Sequence, residues 1–144
     1  MALNTLSRRT VLRRSGLAIG GGMVALSGCL GGRSGSSGPT VTMTSDLRFD
    51  PAEVTIESGE TVTWENDSNV PHTTSAYKQS LPEGAAYFAS GDYESEQAVR
   101  QSTSARGFLE RGETYQYTFE VSGTYRYFCL PHEENGMIGN VIVE

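Results

Sequence analysis

Tyr125-Arg126-Tyr127-Phe128-Cys129-Leu130-Pro131-His132-Glu133-Glu134-Asn135-Gly136-Met137 is the stretch on which the reading of the chain turns. Tyr125 to Phe128 are strand formers, whereas Pro131, Asn135 and Gly136 break the run. Cys129 is therefore expected where a strand ends and a tight loop begins. The loop returns His132 and then Met137 toward Cys129. A thiolate, an imidazole and a thioether gathered in nine positions, with His72 available upstream, make up the two-His, one-Cys donor set with a weak axial Met that suits copper. Zinc is the competing metal, but structural zinc sites take four Cys or His donors, which this set does not supply.

Taken one at a time, these residues have plainer readings: a Met fills gaps in a core, a free Cys is a small buried hydrophobe, and a His is a hydrogen-bonded structural residue. Their order decides against those readings. Cys129-x-x-His132-x-x-x-x-Met137 after a distant His72 resembles the plastocyanin-like cupredoxins, and especially the archaeal halocyanins, over about Val41 to Glu144. Val62-Thr63-Trp64-Glu65-Asn66-Asp67-Ser68-Asn69-Val70-Pro71-His72 is similar to that family's strand, turn and Pro-His pattern. The chain has two His and two Cys, and both His and one Cys fall on the family's ligand positions.

The resemblance implies a cupredoxin-like Greek-key β-sandwich and one copper ion cycling between Cu(I) and Cu(II). It implies His72, Cys129, His132 and Met137 as the ligands, and electron transfer between redox partners rather than an enzymatic reaction. His132 is the expected main port for electrons, across an apolar patch that includes Leu130, Pro131 and Pro71. Phe128 stands where relatives often have a Tyr on a second electron route. Thr73 stands where the family usually has an Asn that ties the first His loop to the Cys loop, so a weaker clamp is expected. Pro131 has no N–H to offer the Cys129 sulfur, whereas the Thr73 N–H does. Glu133 and Glu134 follow His132 directly, and their charge is expected to favour its imidazolium in an exposed loop.

The pattern around this stretch is all-β. Strands are expected at Val41 to Thr44, Leu47 to Asp50, Val54 to Glu57, Thr61 to Trp64, Thr114 to Phe119, Gly123 to Phe128 and Asn140 to Val143, separated by Gly and Pro turns, which indicates a β-sandwich of Greek-key type. Residues 40–144 suffice for one domain with its own core. Ser75 to Gly112 has no clean period and reads as mostly loop, with one or two helical turns between Glu94 and Arg100. A functional insert and a passive surface loop are both open there.

Residues 1–28 read as an export signal to be kept out of the fold. Ser7-Arg8-Arg9-Thr10-Val11-Leu12 resembles a twin-arginine motif, and Leu17 to Leu26 is too short and Gly-interrupted to span a bilayer stably. Leu26-Ser27-Gly28-Cys29 is similar to a lipobox, so Cys29 is the expected lipid anchor. With Cys29 on lipid and Cys129 on copper, no disulfide remains. Residues 29–39 are then the lipidated Cys followed by a Gly/Ser-rich tether, expected to behave as a flexible coil. These signals place the domain on the extracytoplasmic face of a cell membrane.

Without residues 1–28 the chain carries seven basic and seventeen acidic side chains, a formal charge of minus ten. No basic patch is available for phosphates, so nucleic acid binding is not expected. The acidity suits either a docking face for a basic partner or a surface working in high salt. Lys78 is the sole Lys, and with the halocyanin resemblance this favours a haloarchaeal, high-salt setting, where the Debye length falls to about 3 Å. No His is left over for a second copper centre, which sets aside multicopper oxidase chemistry. A copper storage or delivery protein of the same fold is the alternative function, and a monomer is the expected state.

Overall fold

Burial alternates with period two along the strands, as a half-buried sheet requires. Glu53–Ile56 reads exposed, buried, exposed, buried, and Ile138–Val143 alternates half-buried with buried residues. The computed structural model describes residues 36–144; the expectations for Arg8, Arg9, Cys29 and the tether up to Gly35 lie outside the described residues. In chain order the elements are β1 (Ser37–Met43), β2 (Phe49–Asp50), β3 (Glu53–Ile56), β4 (Thr61–Asn66), β5 (Ser75–Ala76), α1 (Glu96–Gln101), β6 (Thr114–Thr118), β7 (Gly123–Phe128) and β8 (Ile138–Val143). Short 3-10 turns fall at Lys78–Ser80 and Leu130–Asn135. Among the described residues no helix is long and apolar enough to cross a membrane.

Two four-stranded sheets form, ordered β2-β1-β4-β6 and β3-β8-β7-β5. β1 with β4 and β3 with β8 are parallel, and the remaining pairs are antiparallel. Parallel neighbours cannot be joined by a hairpin, and the chain changes sheet at every step from β2 to β7, so that only β1–β2 and β7–β8 follow one another within a sheet. The expected all-β sandwich is thus what forms.

The first strand corrects the expected tether boundary. Ser37, Gly38 and Pro39 belong to β1, with Ser37 in register with Thr61 of β4, and Ser36 O accepts from Thr61 N at 3.1 Å. Gly38 permits that approach, since a Cβ there would meet Thr61 O at 2.6 Å. A Gly read as linker composition serves instead as a close-packing position in a strand.

Aromatic rings fill the space between the sheets. Trp64 of β4 meets Tyr127 of β7 edge-on with centroids 5.3 Å apart, and Phe49 meets the same Tyr127 ring at 4.7 Å. Phe88, from the stretch read as loop, stacks on Tyr117 at 4.8 Å and sits against Trp64, so this stretch contributes to the core. Such offset and edge-to-face pairs add to area burial because ring edges and faces carry opposite partial charge.

Tyr127 also sets a steric limit on β8. It pairs with Gly139, where a Cβ would lie 2.4 Å from the Tyr127 ring and hydroxyl. The ring is fully buried between Trp64 and Phe49 and has no room to retreat. Gly139→Ala is therefore expected to destabilise the domain by about 1 to 3 kcal/mol, the usual cost of overpacking. Chemical denaturation checks it: an unchanged midpoint would mean that Tyr127 moves freely.

Candidate metal centre

Three donors converge at the end of the sandwich where β4, β5 and β7 terminate or begin. His72 Nδ1, His132 Nδ1 and Cys129 Sγ belong to a group whose ligand atoms all lie within 4.8 Å of one another. The two Nδ1 atoms are 3.2 Å apart, and Cys129 Sγ lies 3.3 Å from His132 Nδ1 and 3.8 Å from His72 Nδ1. Imidazole bonds to a first-row transition ion are about 2.0 Å long. Two such bonds at a tetrahedral angle separate their nitrogens by about 3.3 Å, so the spacing suits one shared ion. The residues present fit copper on donor chemistry as well, since thiolate and thioether favour Cu(I) and imidazole suits either oxidation state.

Each donor is placed by local structure that follows from its neighbours. Asn66 closes β4 and begins an Asx-type turn. Its Oδ1 accepts from Ser68 N and Ser68 Oγ at 2.8 Å, while Nδ2 donates to Val70 O and Leu109 O, also at 2.8 Å. Ser68 Oγ lies 3.0 Å from His72 Nε2. An Nε2–H donating to that hydroxyl leaves Nδ1 as the free lone pair facing Cys129, which is how an outer hydrogen bond selects a ligand tautomer. The backbone of His72 is pinned by two hydrogen bonds with Leu109. Ser68 and Asn66 escaped the sequence reading, though the Asn-x-Ser turn signal was there to be found.

The Cys loop is closed by its own backbone. Cys129 N donates to Met137 O at 3.0 Å, His132 N to Cys129 O at 3.1 Å, and Met137 N to His132 O at 3.2 Å. Gly136 takes the left-handed conformation at φ 80° that ends the 3-10 turn and lets the chain double back. Met137 is fully buried beside this loop.

Thr73 does more than the resemblance implied. Its N–H donates to Cys129 Sγ at 3.3 Å, and its Oγ1 accepts from Leu130 N at 2.8 Å. The hydroxyl, 3.9 Å from Sγ, thus ties the His72 loop to the Cys129 loop and takes over the bridging expected of an Asn. The clamp is therefore present, made by a hydroxyl in place of an amide. Pro131 is exposed at the start of the 3-10 turn, and Leu130 before it and Pro71 before His72 are half-buried.

Two further expectations, on His132 and Glu133, are corrected, and Phe128 gains a setting that the sequence does not specify. His132 is half-buried rather than set in an exposed loop. Phe128 has no exposed surface: Tyr77 packs on its ring at 4.6 Å and the Arg100 guanidinium lies 4.5 Å above it. Glu133 does not face His132 as a free charge, because its carboxylate accepts two hydrogen bonds from Arg100 and one from Tyr77. Those bonds, Arg100's foremost, hold the Glu133 carboxyl below the ordinary range. Burial, and not a neighbouring carboxylate, dominates both imidazoles and lowers their pKa values, His72 being lowered further by the charge of His132. Burial raises the Cys129 thiol, opposed by the Thr73 donors.

A family profile of copper-binding proteins, the plastocyanin/azurin family, matches residues 38–144. The chain belongs to that family. Plastocyanin of Scenedesmus fuscus is 36% identical over 99 residues, covering 68% of this chain and 88% of that protein. The chloroplastic plastocyanin of Tetradesmus obliquus is 33% identical over 145 residues, covering 96% of this chain and 83% of the relative. Among solved structures, an oxidized methionine-to-leucine mutant of amicyanin superposes with a TM-score of 0.53 at 26% identity, over 73% of this chain and 80% of that one. The cupredoxin-like sandwich, a single copper ion as cofactor and membership of a blue copper electron-transfer family follow from these matches and the donor set.

The lowered imidazoles give a test with a definite sign. Unfolded histidines titrate near 6.5, so in the copper-free domain the unfolded state binds protons first as the pH falls. The histidine contribution to stability is therefore complete above about 6.5 and is lost progressively as the pH drops through the depressed folded midpoints. Imidazole titrations by NMR on copper-free protein should place both midpoints below about 6.5. A His132 midpoint above that value would restore the Glu133 and Glu134 influence read from the sequence.

Proposed function

We propose that the chain is a membrane-tethered type 1 copper electron carrier of the archaeal halocyanin kind, working on the extracytoplasmic face of a haloarchaeal cell membrane between respiratory redox partners. In this reading His72 Nδ1, Cys129 Sγ and His132 Nδ1 would hold the copper, with the Met137 thioether as a further, weaker donor. The observation that carries it is the convergence of the three donor atoms within 4.8 Å in a family of copper-binding proteins. Bound copper would supply a one-electron couple between Cu(I) and Cu(II).

The chain's own residues do the rest. Ser68 holds the His72 ring and Thr73 holds both the sulfur and the Leu130 amide, so the donors need not rearrange when one electron arrives or leaves. His132, half-buried at the apolar rim of Pro71, Leu130 and Pro131, is the port for exchange with a partner. Phe128 adjoins Cys129 along the chain but lies under Tyr77 and Arg100, which favours the His132 route. In this reading the export signal at Arg8 and Arg9 directs the carrier across the membrane, and the lipid anchor at Cys29 keeps it there. The scarcity of Lys and the formal charge of minus ten beyond residue 28 support the high-salt setting, in which long-range steering is screened and short-range contact governs docking.

Cys129→Ser should abolish the intense visible absorption of the copper-loaded domain, because a hydroxyl does not supply the soft covalent donor that thiolate does. A serine variant that stayed blue would remove the assignment. For the anchor, Cys29→Ser should leave export intact and release the domain into the medium, as read by fractionating cells into membrane and soluble pools. Unchanged membrane fractionation would rule out lipidation at Cys29.

A further inference from the structure

The segment between β5 and β6 reaches the ligand loop through two side chains, Arg100 and Tyr77. Arg100, on α1, lays its guanidinium fork on Glu133: Nη1 donates to Oε2 at 2.8 Å and Nη2 to Oε1 at 3.0 Å. Tyr77 OH donates to the same Oε1 at 2.7 Å. Glu133 is the residue after His132 and lies in the same 3-10 turn, which has no side-chain cap of its own.

Arg100 is itself held. Its Nε donates to Glu96 Oε1, one turn earlier on α1, at 2.9 Å, and the other Glu96 oxygen accepts from Lys78 N at 2.8 Å. The guanidinium rests on the Phe128 ring, next in sequence to Cys129. α1 is anchored below by Val99, buried in a cluster with Ala89 and Phe128, and begins with Ser95 capping Ala98 N. A short helix packed against β5 and Phe128 thus presents a side chain fixed at both ends.

We propose that Arg100 is a positioning residue for the copper centre, gripping Glu133 so that the adjacent His132 imidazole is held in its ligating orientation; this rests on the copper reading above. The physical reason lies in what a bidentate pair provides. An exposed ion pair adds little to global stability, and Arg100 and Glu133 retain 38% and 26% side-chain exposure. Two parallel N–H donors on one carboxylate do fix direction as well as distance, which a lysine ammonium does not. His72 has Ser68 and the Leu109 bridge to hold it, whereas His132 depends on its 3-10 turn and on whatever restrains Glu133. The 75–112 stretch thus serves the site rather than passively covering the surface.

The test compares wild type, Arg100→Ala, Arg100→Lys, Glu133→Gln and the Arg100→Ala/Glu133→Gln pair. In copper-free domain with isotope-labelled histidine, Arg100→Ala should broaden or average the His132 imidazole resonances while those of His72 stay sharp. In copper-loaded domain, the reduced form of Arg100→Ala should surrender copper to a Cu(I) chelator about fivefold faster, the scale of one exposed charge pair. Arg100→Lys should recover less than half of either change, and the double variant should be no worse than Arg100→Ala. Unaltered His132 resonances and copper loss in Arg100→Ala would overturn the proposal, as would full rescue by lysine, which would reduce the role to charge. Equal disturbance of His72 and His132 with a lowered melting temperature would also overturn it, by showing a general structural role. If wild type fails to turn blue, the copper reading falls by itself, and the His132 resonances still decide what Arg100 does.

Discussion

Everything at this site depends on holding a sulfur that water cannot reach. Cys129 has no solvent exposure, and burial alone would keep its thiol protonated. The counterweight is Thr73, one residue beyond His72, whose N–H points at the sulfur while its hydroxyl catches the amide of Leu130. One short side chain joins the loop after β4 to the loop after β7. Had those loops been free to part, the His72 and Cys129 donors, which come from different sheets, would have no common centre.

The same economy governs charge. The chain is strongly acidic, yet at the ligand loop the nearest carboxylate is tied to a guanidinium and a phenol, and the imidazoles respond to burial instead. Burial suits a ligand, since it keeps the ring nitrogen free of protons. It also raises the Tyr77 phenol to about 12, burial first and the Glu133 hydrogen bond second, so Tyr77 remains a donor throughout the working range. A network of Glu96, Arg100, Glu133 and Tyr77 therefore sets one guanidinium against two carboxylates beside the site while ordering its outer wall.

The segment between β5 and β6 gains a role from this arrangement. Its Phe88 enters the core between Trp64 and Tyr117, its Leu109 fastens the His72 backbone, and its Arg100 reaches Glu133. A stretch with little regular structure of its own is fixed by three separate contacts, each to a different part of the sandwich.

Period-two alternation and the Cys129, His132 and Met137 spacing made the sandwich and the donor set legible in the sequence, because strand burial and a tight ligand loop are both local properties of the chain. Asn66 and Ser68 were also local, written as an Asx turn next to the first His, and were passed over. What the sequence could not express was contact across distance. Gly38 has the composition of a linker but packs against Thr61, Thr73 bridges to Leu130 through its hydroxyl, and Glu133 is neutralised by Arg100. Residue type and spacing determine which groups the chain can offer to a metal. Which of them are buried, neutralised or gripped is decided by what the fold packs beside them, and those partners lie from twenty to more than fifty residues away.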